Sequence, residues 1–223
     1  MKNVSELLEK LDVKTDNIKL FEQAFTHTSY AYENNLKSYE TLEFLGDAIV
    51  DLLVSDYLFK SNLYKEGEMT KIRASYVCEN ALYEYANDLG FGDYIKLGIG
   101  EKHSGGDKKK AILSDVFESF VAAMYLDKGF EKTKDYILKI VVPYIENKDI
   151  LLFSDYKSAL QEAVQTNKKS VEYVLLDESG PAHNRSFRVV VLVDDIVLGE
   201  GIGSSKKQAE QEAAKKALSI MSK

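Results

Sequence analysis

Tyr39-Glu40-Thr41-Leu42-Glu43-Phe44-Leu45-Gly46-Asp47-Ala48-Ile49-Val50-Asp51 decides how this chain is read, because acids and apolar residues interleave in it at helical spacing. At about 100° per residue, Glu40, Glu43 and Asp47 fall within roughly 60° of one another around a helix axis. A second apolar stretch carries Asp115 and Glu118 three residues apart, which also places two carboxylates on one face. The residues around both sets (Leu42, Leu45, Ile49, Val116, Phe117, Val121) are those of buried helices, where a carboxylate is costly unless something positive offsets it. Lys37 is spaced to reach Glu40, but no Lys or Arg sits at the matching spacing for Glu43, Asp47, Asp115 or Glu118. Oxygen ligands without a cationic partner point to a hard divalent ion, Mg²⁺ or Mn²⁺. The ordinary reading of a charged row is a solvated face. It loses ground here because the acids are inlaid in apolar sequence rather than set opposite it. Asp51 continues the stripe about 40° from Asp47 and is read as merely exposed.

Working outward, apolar residues recur at three and four spacing over 4–11, 18–30, 39–60, 69–89, 111–127 and 131–146, which predicts a mostly helical first part. Most glycines punctuate the ends of these stretches. Gly46 does not; inside a helix it costs up to about 1 kcal/mol relative to Ala, so a close approach must require it. Lys128-Gly129 reads as a helix C-terminus.

After residue 154 the periodicity changes. Residues 155–166 read as helix, 171–176, 186–193 and 196–201 as strands with turns at Gly180-Pro181 and Asp194-Asp195, and 205–221 as helix again. The expected organisation is therefore an all-α domain over 1–147, a linker over 148–154 and an α-β-β-β-α domain over 155–223.

Composition narrows the class. The 223 residues include 45% hydrophobic and 29% charged residues, the balance of a globular protein. One cysteine, Cys78, excludes an intramolecular disulfide and suits a reducing compartment. No apolar run approaches the roughly 18 residues of a membrane span, and the acidic N-terminus is no signal peptide; a cytoplasmic location is expected. The net charge of −7 taken alone argues against nucleic acid. However, residues 151–223 carry 10 Lys/Arg and 10 Asp/Glu, so the whole excess lies with the acidic helices, where bound divalent ions would reverse the local sign.

Several alternatives fall on spacing. His27, His103 and His183 lie in dissimilar contexts and no Cys/His ligand pattern for zinc exists. Gly199, Gly201 and Gly203 lack the phosphate-loop pattern and a βαβ unit, so no nucleotide or other small organic cofactor is implied. Ser114 has no base to activate it. Lys108-Lys109-Lys110 reads either as a solvated loop or as a phosphate contact.

Glu40 to Ala48 closely resembles the signature of the ribonuclease III family, endonucleases of double-stranded RNA. Thr26-His27-Thr28-Ser29-Tyr30, Glu66-Gly67-Glu68-Met69, Arg73-Ala74, Ser104-Gly105-Gly106 and Ile112 to Ser119 resemble further blocks of that family, in family order. Thr41 stands where Arg is common. The last 70 residues resemble a double-stranded RNA-binding domain. The likeness lies in Lys157, Ser158, Gln161 and Glu162 on its first helix, Gly180 to His183 in a loop, and Gly201-x-Gly203-Ser204-Ser205-Lys206-Lys207-Gln208-Ala209 opening its last helix. Glu210 departs from the lysine often found there.

The resemblance implies metal-assisted hydrolysis of an RNA phosphodiester by two ions. It assigns Glu43, Asp47, Asp115 and Glu118 as metal ligands, with Asp47 and Glu118 closest to the chemistry and Glu40 and Glu66 as supporting acids. Ser158, Gln161, His183, Ser205, Lys206 and Lys207 become candidate RNA contacts, the last two at a helix N-terminus suited to phosphate. A homodimer is implied, with Phe44 projecting into the partner. The expected activity is cleavage of double-stranded RNA in the processing of ribosomal and other precursors and in turnover. A protein that grips double-stranded RNA without cutting it is the alternative. A phosphohydrolase of small nucleotides would leave residues 155–223 unexplained.

Overall fold

A computed structural model of the chain describes residues 2–146, 156–165, 170–181 and 185–221. The chain forms two compact units, Met1–Phe153 and Ser154–Lys223. The segment 148–154, read as a linker, lies outside the described residues, as does His183.

In the first unit the helices are α1 (Val4–Lys10), α2 (Ile18–Ala24), α3 (Thr28–Asn34), α4 (Glu40–Ser61), α5 (Glu66–Tyr76), α6 (Glu79–Asp88), α7 (Ile99–His103), α8 (Lys110–Lys128) and α9 (Phe130–Glu146). Short 3-10 turns at Phe91–Tyr94 and Gly106–Lys108 join them. Two expected helices are each divided. The stretch 18–30 breaks because the backbone at 25–27 is spent on a neighbouring segment: Lys96 N donates to Phe25 O and His27 N to Lys96 O. His27 then restarts the helix, its Nδ1 accepting from Ser29 N at 3.1 Å. The stretch 69–89 breaks at Cys78, whose backbone is extended. Both halves pack on one core, so the apolar period runs through the break.

That core is aromatic at its centre. Phe25 and Phe120 each approach Phe91, with ring centroids 5.0 and 5.1 Å apart, and Tyr85 lies 5.4 Å from Phe117. Such pairs are worth about 0.5–1.5 kcal/mol each beyond the area they bury. α8 supplies Phe117 and Phe120 and is buried along most of its length, flanked by α2, α4 and α6. It ends at Gly129, whose φ of +78° favours glycine.

The approach of α4 to α8 is set by Gly46. A Cβ built there would lie 1.9 Å from the Glu118 carbonyl oxygen, a distance no side chain tolerates. The helix-propensity cost of this glycine is thus exchanged for backbone contact between the two acid-bearing helices.

The second unit contains α10 (Tyr156–Gln165), β1 (Val171–Ser179), β2 (Ser186–Val193), β3 (Ile196–Gly203) and α11 (Lys206–Met221). The antiparallel sheet has the order β1-β2-β3. Asp194 and Asp195, at φ of +49° and +63°, make the tight β2–β3 turn. Leu160, Val164, Val191, Val193, Ala213 and Ala217 form the core between helices and sheet. Gly199 and Gly201 let α11 lie directly on β3; a Cβ at either would meet a carbonyl oxygen of α11 within 2.2 Å.

Gly46→Ala should therefore destabilise the first unit by about 3 kcal/mol, at the severe end of overpacking. Gly67, with open space around it near the start of α5, is the control: Gly67→Ala should be neutral or stabilising by up to about 1 kcal/mol. Thermal unfolding of the two variants checks this, and equal midpoints would contradict it.

Candidate active site

α4 carries Glu40, Glu43 and Asp47 one turn apart, and α8 carries Asp115 and Glu118. Their contact at Gly46 brings carboxylate oxygens of Glu43, Asp115 and Glu118 all within 4.8 Å of one another. All three side chains are partly buried, and no salt bridge is seen from any of them to a described residue. The charges acting on Glu43 and Glu118 are those of other carboxylates.

The electrostatics follow. Burial, then Asp47, Asp115 and Glu43, push the Glu118 carboxyl up to about 8. Burial, then Asp115, Glu40 and Asp47, raise Glu43 as well. Asp115 is raised chiefly by burial, and a hydrogen bond from Tyr39 opposes this. Repulsion between partly desolvated acids is what a bound divalent cation would relieve. The donor set, three converging carboxylates with no salt bridge to a described Lys or Arg, fits such an ion.

The remaining acids stand around this group. Asp47 is exposed and outside the tight trio, yet it is the foremost charge acting on Glu118. Glu40 is exposed and accepts from Ser38 Oγ at 2.8 Å rather than pairing with Lys37. Glu66 begins α5 and joins neither the trio nor the charges that shift it. Instead it lines a cavity of about 220 Å³ with Ser55, Leu58, Phe59, Met69 and Arg73. Asp51, read as exposed, is partly buried and outside the group. Phe44, between the ligand candidates, is 84% exposed.

Tyr39 opens the acid-bearing stretch, and its sequence position assigns it no role. It is 3% exposed, and its hydroxyl donates to Asp115 Oδ2 at 3.1 Å. The His27 ring packs edge-on against it at 5.7 Å, which gives His27 a structural place. Ser114 is spent on Ala111 O. Two of the three adjacent lysines are engaged: Lys109 pairs with Glu101, and Lys110 bonds Asn80 and lies over the Tyr83 ring.

In the second unit, Ser205 Oγ caps α11 by accepting from Gln208 N at 3.2 Å. Lys206 and Lys207 follow, both exposed and neither in a salt bridge with a described residue. Gln161 is exposed on α10, while the Ser158 side chain lies outside what the structure describes. Glu210 accepts from Lys157 Nζ at 2.5 Å, so the departure at this position is an ion pair joining α10 to α11.

The family model for "Ribonuclease-III-like" matches residues 17–145, and that for "Double-stranded RNA binding motif" matches 156–221. Ribonuclease 3 of Listeria innocua is 47% identical over 225 residues, covering 98% of this chain and 97% of that protein. Ribonuclease 3 of Bacillus velezensis is 47% identical over 223 residues, covering 98% and 90%. The solved nuclease domain of ribonuclease III from Campylobacter jejuni, described for flexibility in a region involved in dimer formation, is 36% identical with a TM-score of 0.59. It covers 63% of this chain and 97% of its own. The acidic helices and the α-β-β-β-α unit thus fall within matched regions, and the chain belongs to the ribonuclease III family, carrying a nuclease domain followed by a double-stranded RNA binding motif.

Proposed function

We propose that this ribonuclease III cuts double-stranded RNA by hydrolysis, using Mg²⁺ (with Mn²⁺ able to replace it) held by Glu43, Asp47, Asp115 and Glu118. The observation that carries this reading is the convergence of Glu43, Asp115 and Glu118, where the described charges acting on Glu43 and Glu118 are all carboxylates. Two bound divalent ions would supply an activated, positioned water and the charge that stabilises the leaving oxygen. The protein's part is to fix the ligand oxygens on two helices in backbone contact. Asp47 stands exposed beside Glu118, where both can face the scissile phosphate. Glu40 and Glu66 serve as supporting acids.

Residues 1–147 act as the catalytic domain and 155–223 as the RNA-binding domain, joined by 148–154; the division of the chain into two compact units supports this. Gln161, Lys206 and Lys207, with Ser158, Ser205 and His183, form the RNA-binding set. The helix N-terminus at Lys206 offers backbone N–H groups and two positive side chains to a phosphate. Recognition is of A-form shape, as such domains read duplex RNA.

The active form is a homodimer, because one cluster serves one strand and a two-fold axis supplies the second. Phe44, Leu52, Phe59 and Leu63 are exposed and follow one another along α4 and just beyond it, an apolar run suited to a second copy. Phe44 would enter the partner subunit. Processing of ribosomal and other RNA precursors, and RNA turnover, in the cytoplasm is the setting this activity serves.

Incubating the full chain with a long RNA duplex should give cleavage products with Mg²⁺ and none with EDTA. Shifted bands without products under both conditions would instead identify a non-cleaving binder. Glu118→Gln keeps the size of the side chain and removes its charge. It should lower cleavage by more than about a hundredfold, beyond the loss of an outer-shell partner, while duplex binding stays near the parent's.

The raised acids also set a pH dependence. The folded-state pKa of Glu118, about 8, exceeds its ordinary 4.5, so between these values the folded protein binds the extra proton. The stability that Glu118 contributes to the metal-free protein should therefore fall as pH rises from about 6 to about 8. Mg²⁺ should raise the unfolding midpoint more at the higher pH. An equal or larger metal effect at the lower pH would count against the cluster as the binding site.

Replacing Lys206 and Lys207 together by Ala should weaken duplex capture and reduce the magnitude of its log–log salt slope by up to about two. Cleavage at low salt should survive. Unchanged salt dependence would remove these lysines from the interface.

A further inference from the structure

Asp115 differs from the other two members of the trio in how it is held. No hydrogen bond from a described side chain to Glu43 or Glu118 is seen, whereas Asp115 Oδ2 accepts one from Tyr39. The donor is itself fixed from four sides. Tyr39 N donates to Thr26 O at 2.9 Å, and Tyr39 O accepts from Leu42 N and Glu43 N at the start of α4. Ser119 Oγ, one turn of α8 beyond Asp115, donates to the same carbonyl at 3.4 Å. The ring is buried against His27, whose Nδ1 is held by Ser29. One residue thus ties the turn before α3, the first turn of α4 and the ligand-bearing turn of α8.

A carboxylate that offers one oxygen to a metal can rotate about its Cβ–Cγ bond unless its other oxygen is held. We propose that Tyr39 is a positioning residue for the metal site: its hydroxyl holds Asp115 Oδ2, fixes the plane of the carboxylate and leaves Oδ1 as the ligand. This rests on the reading of Glu43, Asp115 and Glu118 as metal ligands. The hydroxyl is a dependable donor, because a phenol ordinarily keeps its proton at neutral pH. Groups that orient a metal ligand in this way typically govern affinity by 10–100-fold. Tyr39 therefore acts on how tightly the ion is held, and the chemistry remains with the acids.

The test is Tyr39→Phe in the full-length chain, which keeps the ring and removes only the hydroxyl. Mn²⁺ binding is followed by calorimetry and by the metal-induced rise in unfolding midpoint, and cleavage is titrated with Mg²⁺. The expected result is a rise of about tenfold or more in the metal concentration at half-saturation. Cleavage at saturating Mg²⁺ should stay within about threefold of the parent, in contrast to the loss on removing a ligand itself. Metal titrations that superimpose on the parent's would overturn the proposal, as would a lost maximal rate with unchanged metal affinity. Should the variant fold poorly, the parent answers the question: the Tyr39 ring-carbon resonance next to its hydroxyl should shift on Mg²⁺ addition with the midpoint of cleavage. A resonance indifferent to Mg²⁺ would overturn the proposal. If the parent itself showed no metal-dependent stabilisation, the assignment of the cluster would fail, a result distinct from either of these.

Discussion

Backbone contact between α4 and α8 at Gly46 is the constraint on which the site depends. Two helices whose facing residues all carried side chains would sit 8–10 Å apart. The missing Cβ lets the Glu118 carbonyl press against the α4 backbone. Residues one turn either side of that contact then face each other, which is why Glu43 on one helix meets Asp115 and Glu118 on the other. The aromatic nest behind α8 works to the same end. With Phe117 and Phe120 locked among Phe25, Phe91 and Tyr85, α8 has little freedom to rotate its acids away from α4.

The same packing sets stability against function. Three partly desolvated acids repel one another, and the folded state of the metal-free protein must carry that cost. The surrounding core offsets it: α8 alone buries Val116, Phe117, Phe120, Val121, Ala122 and Ala123 with no exposed area. A weaker core would let the helices part and the acids hydrate. The extensive burial of α8 and the charge of its one acidic face are therefore two halves of one arrangement.

Much of this was legible in the chain. The acid stripe shows because the helical period places Glu40, Glu43 and Asp47 together whatever the tertiary structure, and Gly46 stands out as a helix interior residue that propensity disfavours. The α-β-β-β-α order was likewise visible from the change of period after residue 154. What stayed hidden depends on partners far along the chain. The break at 25–27 arises from pairing with Lys96, and nothing local marks it. The division at Cys78 is invisible because both flanking helices keep the apolar period of a shared core. Tyr39 carries no local sign of a role, which appears only when Asp115, 76 residues away, is placed beside its hydroxyl. Asp51 is partly buried although its neighbour Leu52 is exposed, a difference that helical spacing alone does not give.

The ion pairs of the second unit bear on how this protein finds its target. Lys157, Arg185 and Arg188 are each neutralised by a glutamate of the same unit, Glu210, Glu178 and Glu200. Three cations of the unit are thus spent on its own acids, and among the described residues the exposed lysines of α11 are left to meet a phosphate. At physiological ionic strength the Debye length is about 8 Å, so a polyanion exerts almost no pull on such a molecule from afar. Encounter is then left to diffusion and to shape: unproductive collisions with other nucleic acids end quickly, and the time spent on any one molecule is decided by whether its grooves fit.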